Sequence, residues 1–249
     1  MVEPTYKERY CAFLDILGFA EIVKTIENGV PFQKLKYLLD TVHKPHSGVA
    51  IDVDETDFRA QSISDAVAIS ANPTTPGLLQ ICDAVERLSL ELLEEGYFVR
   101  GAIVKDKLYH DDNTVFGSAL VRAFQLEQEV VRYPRVMVVS DVANSLYDEA
   151  RKCIQQAGDG PYFVHVLRTL EGLDPNLFGV NTHGMPTSKY STMRHMIQRR
   201  FREAVDNPHH FEKVQWFSRY WNSVVSPNDV TAHHRIKGPG LDVATAVWG

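Results

Sequence analysis

Alternating apolar and polar positions divide the first 140 residues of the chain into short strands and amphipathic helices. The apolar run at 10–15 predicts a mostly buried strand, and the segment 20–29 after it has the spacing of a short helix ending at a glycine. Two further apolar runs within 58–70 predict a β-hairpin whose turn contains Ser64-Asp65. The segment 75–96 is the clearest helix, with apolar residues at helical spacing and a glycine at its end.

The remaining pattern continues this alternation and then changes. Residues 97–116 predict a strand, a polar turn and a second short strand, followed by a helix at 117–132 and a strand at 135–140. The segment SGVAIDVD, 47–54, also reads as a strand. The order strand, helix, strand, strand, helix, strand predicts an α+β sandwich with a mixed or antiparallel sheet.

From about Asp141 the pattern is mainly helical, in the segments 142–156, 191–205 and 211–225, with a lone strand, YFVHVL, after the first. We therefore expect two parts, a core at 1–140 and a C-terminal helical extension at 141–249. The extension is expected to pack on the core or to form an oligomer interface. The aromatic residues of its last helix are typical of a core or an interface rather than of a ligand site.

Composition limits the function classes. A chain of 249 residues with 44% hydrophobic residues suits one sizeable domain or a domain with an extension. A net charge of −6 argues against a nucleic-acid-binding protein, which normally presents a basic face. No run of about 18 apolar residues and no signal sequence is found, and the three cysteines show no metal-ligand spacing. We expect a cytoplasmic protein that binds no membrane and no nucleic acid.

Two isolated acids carry the candidate chemistry, Asp15 in FLDILGF and Asp65 in SISDAVAIS. A carboxylate among apolar neighbours is costly to desolvate unless something neutralises it, and a divalent cation that bridges both acids would do so. Gly18 allows close backbone approach, and a helix that begins there directs amide hydrogens at an anion. The arrangement predicts a site for metal and polyphosphate. The alternative is that each acid only caps a turn.

The segment Phe13–Phe19 reads Phe-Leu-Asp-Ile-Leu-Gly-Phe, and Ser64-Asp65 follows in a predicted hairpin. In this order and separation the two motifs resemble those of the class III nucleotidyl cyclases, over roughly residues 10 to 139. The resemblance implies a ferredoxin-like catalytic core, to which the helical extension is added.

Four further motifs narrow the resemblance to the bacterial pyrimidine cyclases of the Pycsar antiphage systems. They are Arg100–Ile103, Phe116–Leu120, Leu126-Glu127 and Tyr133–Arg135. The resemblance implies a uridylate cyclase that converts UTP to 3′,5′-cyclic UMP and pyrophosphate, with CTP as the alternative substrate. It also implies that a separate cyclic-nucleotide-activated effector senses the product.

The resemblance assigns roles to particular residues. Two Mn²⁺ or Mg²⁺ ions per site would be held by Asp15, Asp65 and the carbonyl of Ile16. The triphosphate would be bound by Phe13, Leu17, Gly18 and Phe19. Gln61 and Thr114 lie in the registers that read the base in purine cyclases, and the bulky Phe58 would narrow the base pocket towards a single-ring pyrimidine.

The transition-state Asn and Arg of the purine cyclases fall at Val121 and Gln125, which cannot do the same work. Valine has no hydrogen-bonding group and glutamine has no charge. Arg100 is the best candidate for the missing positive charge, because an apolar strand rarely carries an arginine without a partner. The alternative is that Arg100 pairs with a structural acid such as Glu127.

The resemblance also implies a head-to-tail homodimer with composite active sites, since class III cyclases place metal acids and transition-state groups on opposite subunits. Three other functions stay open from the sequence. They are a purine cyclase that has relocated its transition-state groups, a degenerate cyclase domain that binds nucleotide without turnover, and a purely structural dimer module.

Overall fold

The computed structural model describes residues 5–43, 53–171, 187–225 and 234–241. The strands are β1 Lys7–Leu17, β2 Arg59–Ile63, β3 Ala66–Ala71, β4 Phe98–His110, β5 Val115–Phe116, β6 Val136–Val138, β7 Ile154–Gln156 and β8 Tyr162–Val164. The α-helices are α1 Phe19–Glu27, α2 Gln33–Asp40, α3 Val53–Thr56, α4 Thr75–Glu94, α5 Ser118–Glu129, α6 Ser140–Ala143, α7 Thr187–Glu203 and α8 Pro208–Val225. Short 3₁₀ turns lie at Thr41–His43, Asp148–Cys153 and Arg168–Leu170.

The strands form one mixed sheet in the order β2-β3-β1-β4-β6-β8-β7, with β5 paired to β4. All neighbours are antiparallel except β4 and β6, which run parallel. The predicted α+β class with a mixed sheet is therefore confirmed, and so is the hairpin at Ser64-Asp65, which joins β2 to β3.

The central strand β1 is covered on both faces, which explains its nearly continuous apolar sequence. Its even-numbered residues from Tyr10 to Ile16 enter the main core, together with α4. Cys11 and Phe13 point to the other face, where α5 packs over β1 and β4. Asp15 follows Cys11 and Phe13 at the same alternation. The acid that interrupts the apolar run of β1 therefore lies on the α5 face of the sheet.

Helix α4 is the longest α-helix in the described residues, and its ends follow ordinary capping chemistry. The Thr74 side chain accepts a hydrogen bond from the Gly77 backbone N–H at 3.2 Å, and a proline lies in the first turn. The chain leaves the helix through Gly96, whose φ of +83° favours glycine. The buried side of α4 fills the space between the sheet and the C-terminal helices.

The C-terminal part differs from the helical extension that the sequence predicts. β8 pairs with β6, and β7 pairs with β8, so the same sheet continues across the expected boundary at residue 140. Within the predicted helix at 142–156 the structure has the end of α6, a 3₁₀ turn and β7, because Ile154–Gln156 form a ladder with Tyr162–Val164. That helix prediction is wrong, whereas the strand at YFVHVL and helices α7 and α8 are confirmed.

Two other sequence expectations concern single segments. Of the predicted strand at 47–54, residues 47–52 lie outside the described residues, and Val53-Asp54 begin helix α3. The aromatic residues of α8 pack as core, as predicted, with Tyr220 and Trp221 fully buried. In the described part of the chain, no helix has the length and apolar character needed to cross a membrane.

Candidate active site

The candidate site lies at the C-terminal end of β1. Asp15 is opposite Ala66 of β3 on one side and opposite Arg100 of β4 on the other. Residues directly opposite each other in a ladder project from the same face, so Asp15 and Arg100 meet. Arg100 Nη2 lies 3.3 Å from Asp15 Oδ2, and the two side chains are 17% and 21% exposed.

A glycine in the RGAI segment allows the two strands to meet this closely. A Cβ atom at Gly101 would lie 2.3 Å from the Phe13 carbonyl oxygen, which no real side chain tolerates. Because glycine has no side chain, β4 can approach β1 closely at the residue next to Arg100.

A third charged residue reaches the same point from α5. Ala119 and Ala123 lie on the buried face of this helix, and their small side chains let it approach the sheet closely. The side chain of Glu127, one turn beyond, is completely buried and forms an ion pair with Arg100. Arg100 is thus held between Asp15 and Glu127, so the structural pairing considered as an alternative is present in the fold.

Burial and charge both act on these carboxyl groups. Burial raises the pKa of Asp15, the Arg100 guanidinium opposes this, and the neighbouring charge of Asp65 raises it further. Burial likewise raises the pKa of Glu127, again opposed by Arg100. Asp15, Asp65 and Glu127 thus supply three carboxyl groups against the single guanidinium of Arg100, and this excess of acid favours the binding of a further positive group.

Asp65 stands next to Asp15 through the β2–β3 turn. Ser64 has a φ of +57°, so the backbone turns sharply before Asp65. The Asp65 carbonyl accepts a hydrogen bond of 3.0 Å from the Ile16 backbone N–H, which fixes the turn against the end of β1. The structure thus brings both predicted metal acids together with Ile16; Asp15 is partly buried and Asp65 is exposed.

The predicted phosphate-binding turn follows directly. Gly18 has a φ of +89°, and a Cβ atom there would lie 3.2 Å from the Tyr97 ring. Helix α1 starts at Phe19 without a side-chain cap, and the Glu21 and Ile22 N–H groups donate to the Gly18 carbonyl at 2.9 and 3.3 Å. Phe13 lies apart from this turn, because its ring packs edge-on against Phe124 of α5 at 5.4 Å.

The residues predicted to read the base do not share one surface. Gln61 donates a hydrogen bond of 3.2 Å from Nε2 to the Asn113 carbonyl, which brings it beside the exposed Thr114 in the β4–β5 turn. Phe58 packs instead against the main core, on the opposite face of the sheet from Asp15. The structure therefore groups Gln61 with Thr114 and separates both from Phe58.

Sequence reasoning missed one cation at the site. Lys213 of α8 is partly buried, and its charge acts on Asp15, Glu127 and Arg100. Together with Leu17 and Gly18 it lines a cavity of about 310 Å³. In FEKVQWF nothing distinguishes Lys213 from an ordinary surface lysine, because its position depends on how α8 packs.

The residues present fit a divalent cation only if the substrate completes its coordination. Among the described residues, no group of three or more His, Cys, Asp and Glu side chains is arranged to hold a metal. Asp15 and Asp65 supply two carboxylates, and Mg²⁺ or Mn²⁺ commonly takes one or two carboxylates plus substrate phosphate oxygens.

No protein-family model matches the chain, and no curated protein matches it. Solved structures of cyclase domains do match. The guanylyl cyclase domain of the RhoGC fusion protein from the aquatic fungus Blastocladiella emersonii is 11% identical, with a TM-score of 0.40 over 66% of this chain and 98% of that chain. An adenylate/guanylate cyclase/hydrolase from Silicibacter pomeroyi is 17% identical, with a TM-score of 0.38 over 64% and 95%. A class III adenylyl cyclase-like ATP-binding protein from Pseudomonas aeruginosa is 11% identical, with a TM-score of 0.37 over 59% and 38%.

Proposed function

We propose that the protein is a nucleotidyl cyclase that converts UTP to 3′,5′-cyclic UMP and pyrophosphate. One observation carries the proposal: Asp65 precedes Ala66, the ladder partner of Asp15, and its carbonyl accepts from the Ile16 N–H, so both acids lie at the end of β1, immediately before the Gly18 turn. Two carboxylates beside the start of a helix that lacks a side-chain cap suit a metal-bound triphosphate.

In the proposed reaction the ribose 3′-oxygen attacks the α-phosphorus of the same nucleotide. A bond forms between these atoms, the bond to the β-phosphate oxygen breaks, pyrophosphate leaves, and the hydroxyl proton passes to solvent. Asp15, Asp65 and the Ile16 carbonyl would hold Mn²⁺ or Mg²⁺, which when bound lowers the pKa of the 3′-hydroxyl and offsets phosphate charge. The backbone around Leu17-Gly18-Phe19 binds the triphosphate.

Arg100 supplies the fixed positive charge in this proposal. Its ion pair with the fully buried Glu127 holds the guanidinium in place beside Asp15. A preorganised cation next to the α-phosphate stabilises charge that develops as the phosphorus is attacked, and comparable groups contribute about 3–4 kcal/mol. Because the contacts with Asp15 and Glu127 already fix Arg100, it needs no rearrangement to serve this role.

The pyrimidine preference rests on the sequence resemblance together with the residues that differ from purine cyclases. Val121 and Gln125 are exposed on α5 and offer neither the Asn nor the Arg of those enzymes. The Gln61 amide beside Thr114 provides hydrogen-bonding groups of the kind that read a base edge. A cytidylate cyclase and a nucleotide-binding module without turnover are the alternatives. The antiphage role and the separate effector follow from the resemblance.

Incubation of the purified protein with each of the four ribonucleoside triphosphates and Mn²⁺ tests the proposed reaction. We expect cyclic UMP and an equal amount of pyrophosphate from UTP, in at least about tenfold excess over the other three products, a difference of ~1.4 kcal/mol in barrier. Mass spectrometry identifies each product, and the Asp65→Asn variant is the control. Preferential formation of cyclic CMP would move the assignment to CTP, and binding without pyrophosphate release would contradict an enzymatic function.

We also propose that a second copy of the chain covers an apolar patch formed by Tyr6, Phe116, Val121 and Phe124. These residues are between 46% and 55% exposed, and the rings of Tyr6 and Phe116 stack with centroids 6.1 Å apart. Contiguous exposed apolar side chains of this kind mark interaction surfaces. The patch adjoins the Asp15 face through the Phe13–Phe124 contact, so a partner seated there would border the active site.

Val121→Glu is expected to convert the dimer to a monomer, because the new carboxylate would be desolvated at the interface. Its turnover of UTP should fall at least about tenfold at micromolar protein concentration. Light scattering coupled to gel filtration measures the mass, with His195→Glu on an exposed position of α7 as the matched control. A dimer that survives Val121→Glu, or a wild-type protein that is monomeric while fully active, contradicts the composite site.

A further inference from the structure

A cavity of about 310 Å³ separates the Gly18 turn from the C-terminal helices α7 and α8. Leu17, Gly18, His210 and Lys213 line it. Arg200 lines it too, together with the carboxylates of Glu21 and Glu203, both of which pair with Arg200. Its volume lies at the lower end of the range of small-molecule sites, about 300–1,000 Å³. The cavity therefore adjoins the end of β1, where the candidate metal acids lie, and has room for a phosphate chain.

The two main cations of this cavity differ in their partners. Arg200 is committed to the fold: Nη2 lies 3.0 Å from Glu21 Oε2, Nε donates to the Gly96 carbonyl at 2.8 Å, and the guanidinium stacks over the Tyr97 ring. Lys213 forms no hydrogen bond and no ion pair with any residue that the structure describes, although its side chain is partly buried. A partly desolvated ammonium group without a partner is costly unless an anion joins it.

The charged residues around Lys213 indicate the kind of anion that would bind it. Burial lowers the pKa of Lys213, the nearby Arg100 guanidinium lowers it further, and the carboxylates of Asp15 and Glu127 oppose both effects. Lys213 therefore lies within electrostatic reach of the Asp15 cluster and, at the same time, lines the cavity that Gly18 also lines. A group bound across both would be a chain of anionic phosphates.

We propose that Lys213 binds the terminal phosphates of the nucleotide in the cavity between the Gly18 turn and α8. This inference rests on the proposed function and adds to it a residue of the C-terminal helices. Lysine is a common phosphate ligand that acts as a point charge with three donors. The α-phosphate would lie at Asp15 and Arg100, and the outgoing pyrophosphate would lie beside Lys213. The C-terminal helices then form part of the active site of their own chain.

Binding of inorganic tripolyphosphate in the presence of Mn²⁺, measured by isothermal titration calorimetry, tests this site without requiring turnover. We expect Lys213→Ala to weaken binding at least about tenfold, because the ammonium charge is lost. Lys213→Arg should stay within about threefold of the wild type, since it keeps a cation that can contact phosphate. Lys237→Ala, which removes the same charge from an exposed position, is the matched control and should bind as the wild type does.

The outcomes separate this inference from the cyclase proposal. Unchanged tripolyphosphate affinity in Lys213→Ala, or no binding by the wild type, overturns the role of Lys213 even if cyclic nucleotide is formed. Loss of binding in Lys213→Ala supports the phosphate site even if none of the four nucleoside triphosphates is cyclised. Thermal unfolding of each variant shows whether the fold is retained. If Lys213→Ala fails to fold, Lys213→Met, which keeps the length of the side chain and removes its charge, is expected to weaken binding to the same extent, and unchanged affinity in that variant overturns the role of Lys213.

Discussion

Asp15→Asn is expected to abolish formation of cyclic nucleotide, with a fall of at least about 10³-fold in turnover, or ~4 kcal/mol of transition-state stabilisation. The substitution keeps the shape of the side chain but removes the charge that would hold a divalent cation beside the α-phosphate. Asp65→Asn should have an effect of the same size, because it removes the other carboxylate of the pair. Initial rates with UTP and Mn²⁺, measured by release of pyrophosphate, quantify both.

The fold should survive these two changes. Asp15 is partly exposed, and Arg100 retains its ion pair with Glu127 when the Asp15 charge is removed. Asp65 is exposed in a turn that is fixed by its backbone carbonyl rather than by its carboxylate. Asp40→Asn, on the exposed side of α2, is the matched control and should leave turnover unchanged. Near wild-type rates for Asp15→Asn in a folded protein would show that the acids do not hold the reacting metal.

Arg100→Ala is expected to reduce both turnover and stability. It leaves the completely buried Glu127 without a cation, and removal of one partner of a buried ion pair typically lowers the free energy of unfolding by about 3–5 kcal/mol. Urea denaturation followed by circular dichroism measures this loss. Reduced activity of this variant alone would therefore not distinguish a catalytic role from an anchoring role.

A double variant separates the two roles. Arg100→Met with Glu127→Leu replaces the ion pair by apolar side chains, and such replacements are often neutral or stabilising. We expect the double variant to be at least about 2 kcal/mol more stable than Arg100→Ala while its turnover stays low, because no cation lies beside the α-phosphate. Recovery of both stability and turnover would reduce Arg100 to a structural residue. A fully stable Arg100→Ala variant would contradict its anchoring role.

The strands of the N-terminal half could be read from the sequence because their signals are local. The apolar run of β1, the turn at Ser64-Asp65 and the glycine after α4 each lie within a few residues of the feature they specify. β7 could not be read in this way, since Ile154–Gln156 become a strand by pairing with Tyr162–Val164. In that segment the pairing of β7 with β8 determines the structure, although the local sequence has helical spacing.

The candidate site divides along the same line. Asp15 and Asp65 could be paired in advance because the motifs around them resemble those of a known family. The β1–β3 register and the Asp65–Ile16 hydrogen bond bring their backbones side by side, and their role as metal ligands stays a prediction. The contact of Arg100 with Asp15 depends on the register of β1 against β4, and the approach of Lys213 depends on the docking of α8. Both contacts are non-local. An arginine in an apolar strand could be singled out from the sequence, but its contact with Asp15 could not, and Lys213 leaves no pattern in its own stretch of sequence. The roles of Gln61 and Thr114 stay predictions.

The continuation of the sheet past residue 140 has a consequence for the chain as a folding unit. If the chain stopped after β6, the Val136–Val138 strand would keep β4 on one side and lose β8 on the other. β6 would then be an exposed, apolar edge strand, and its unpaired backbone N–H and C=O groups could pair with strands of other molecules. The segment after residue 140, which the sequence predicts as an extension, thus covers the edge of β6 and protects the protein from aggregation through that edge.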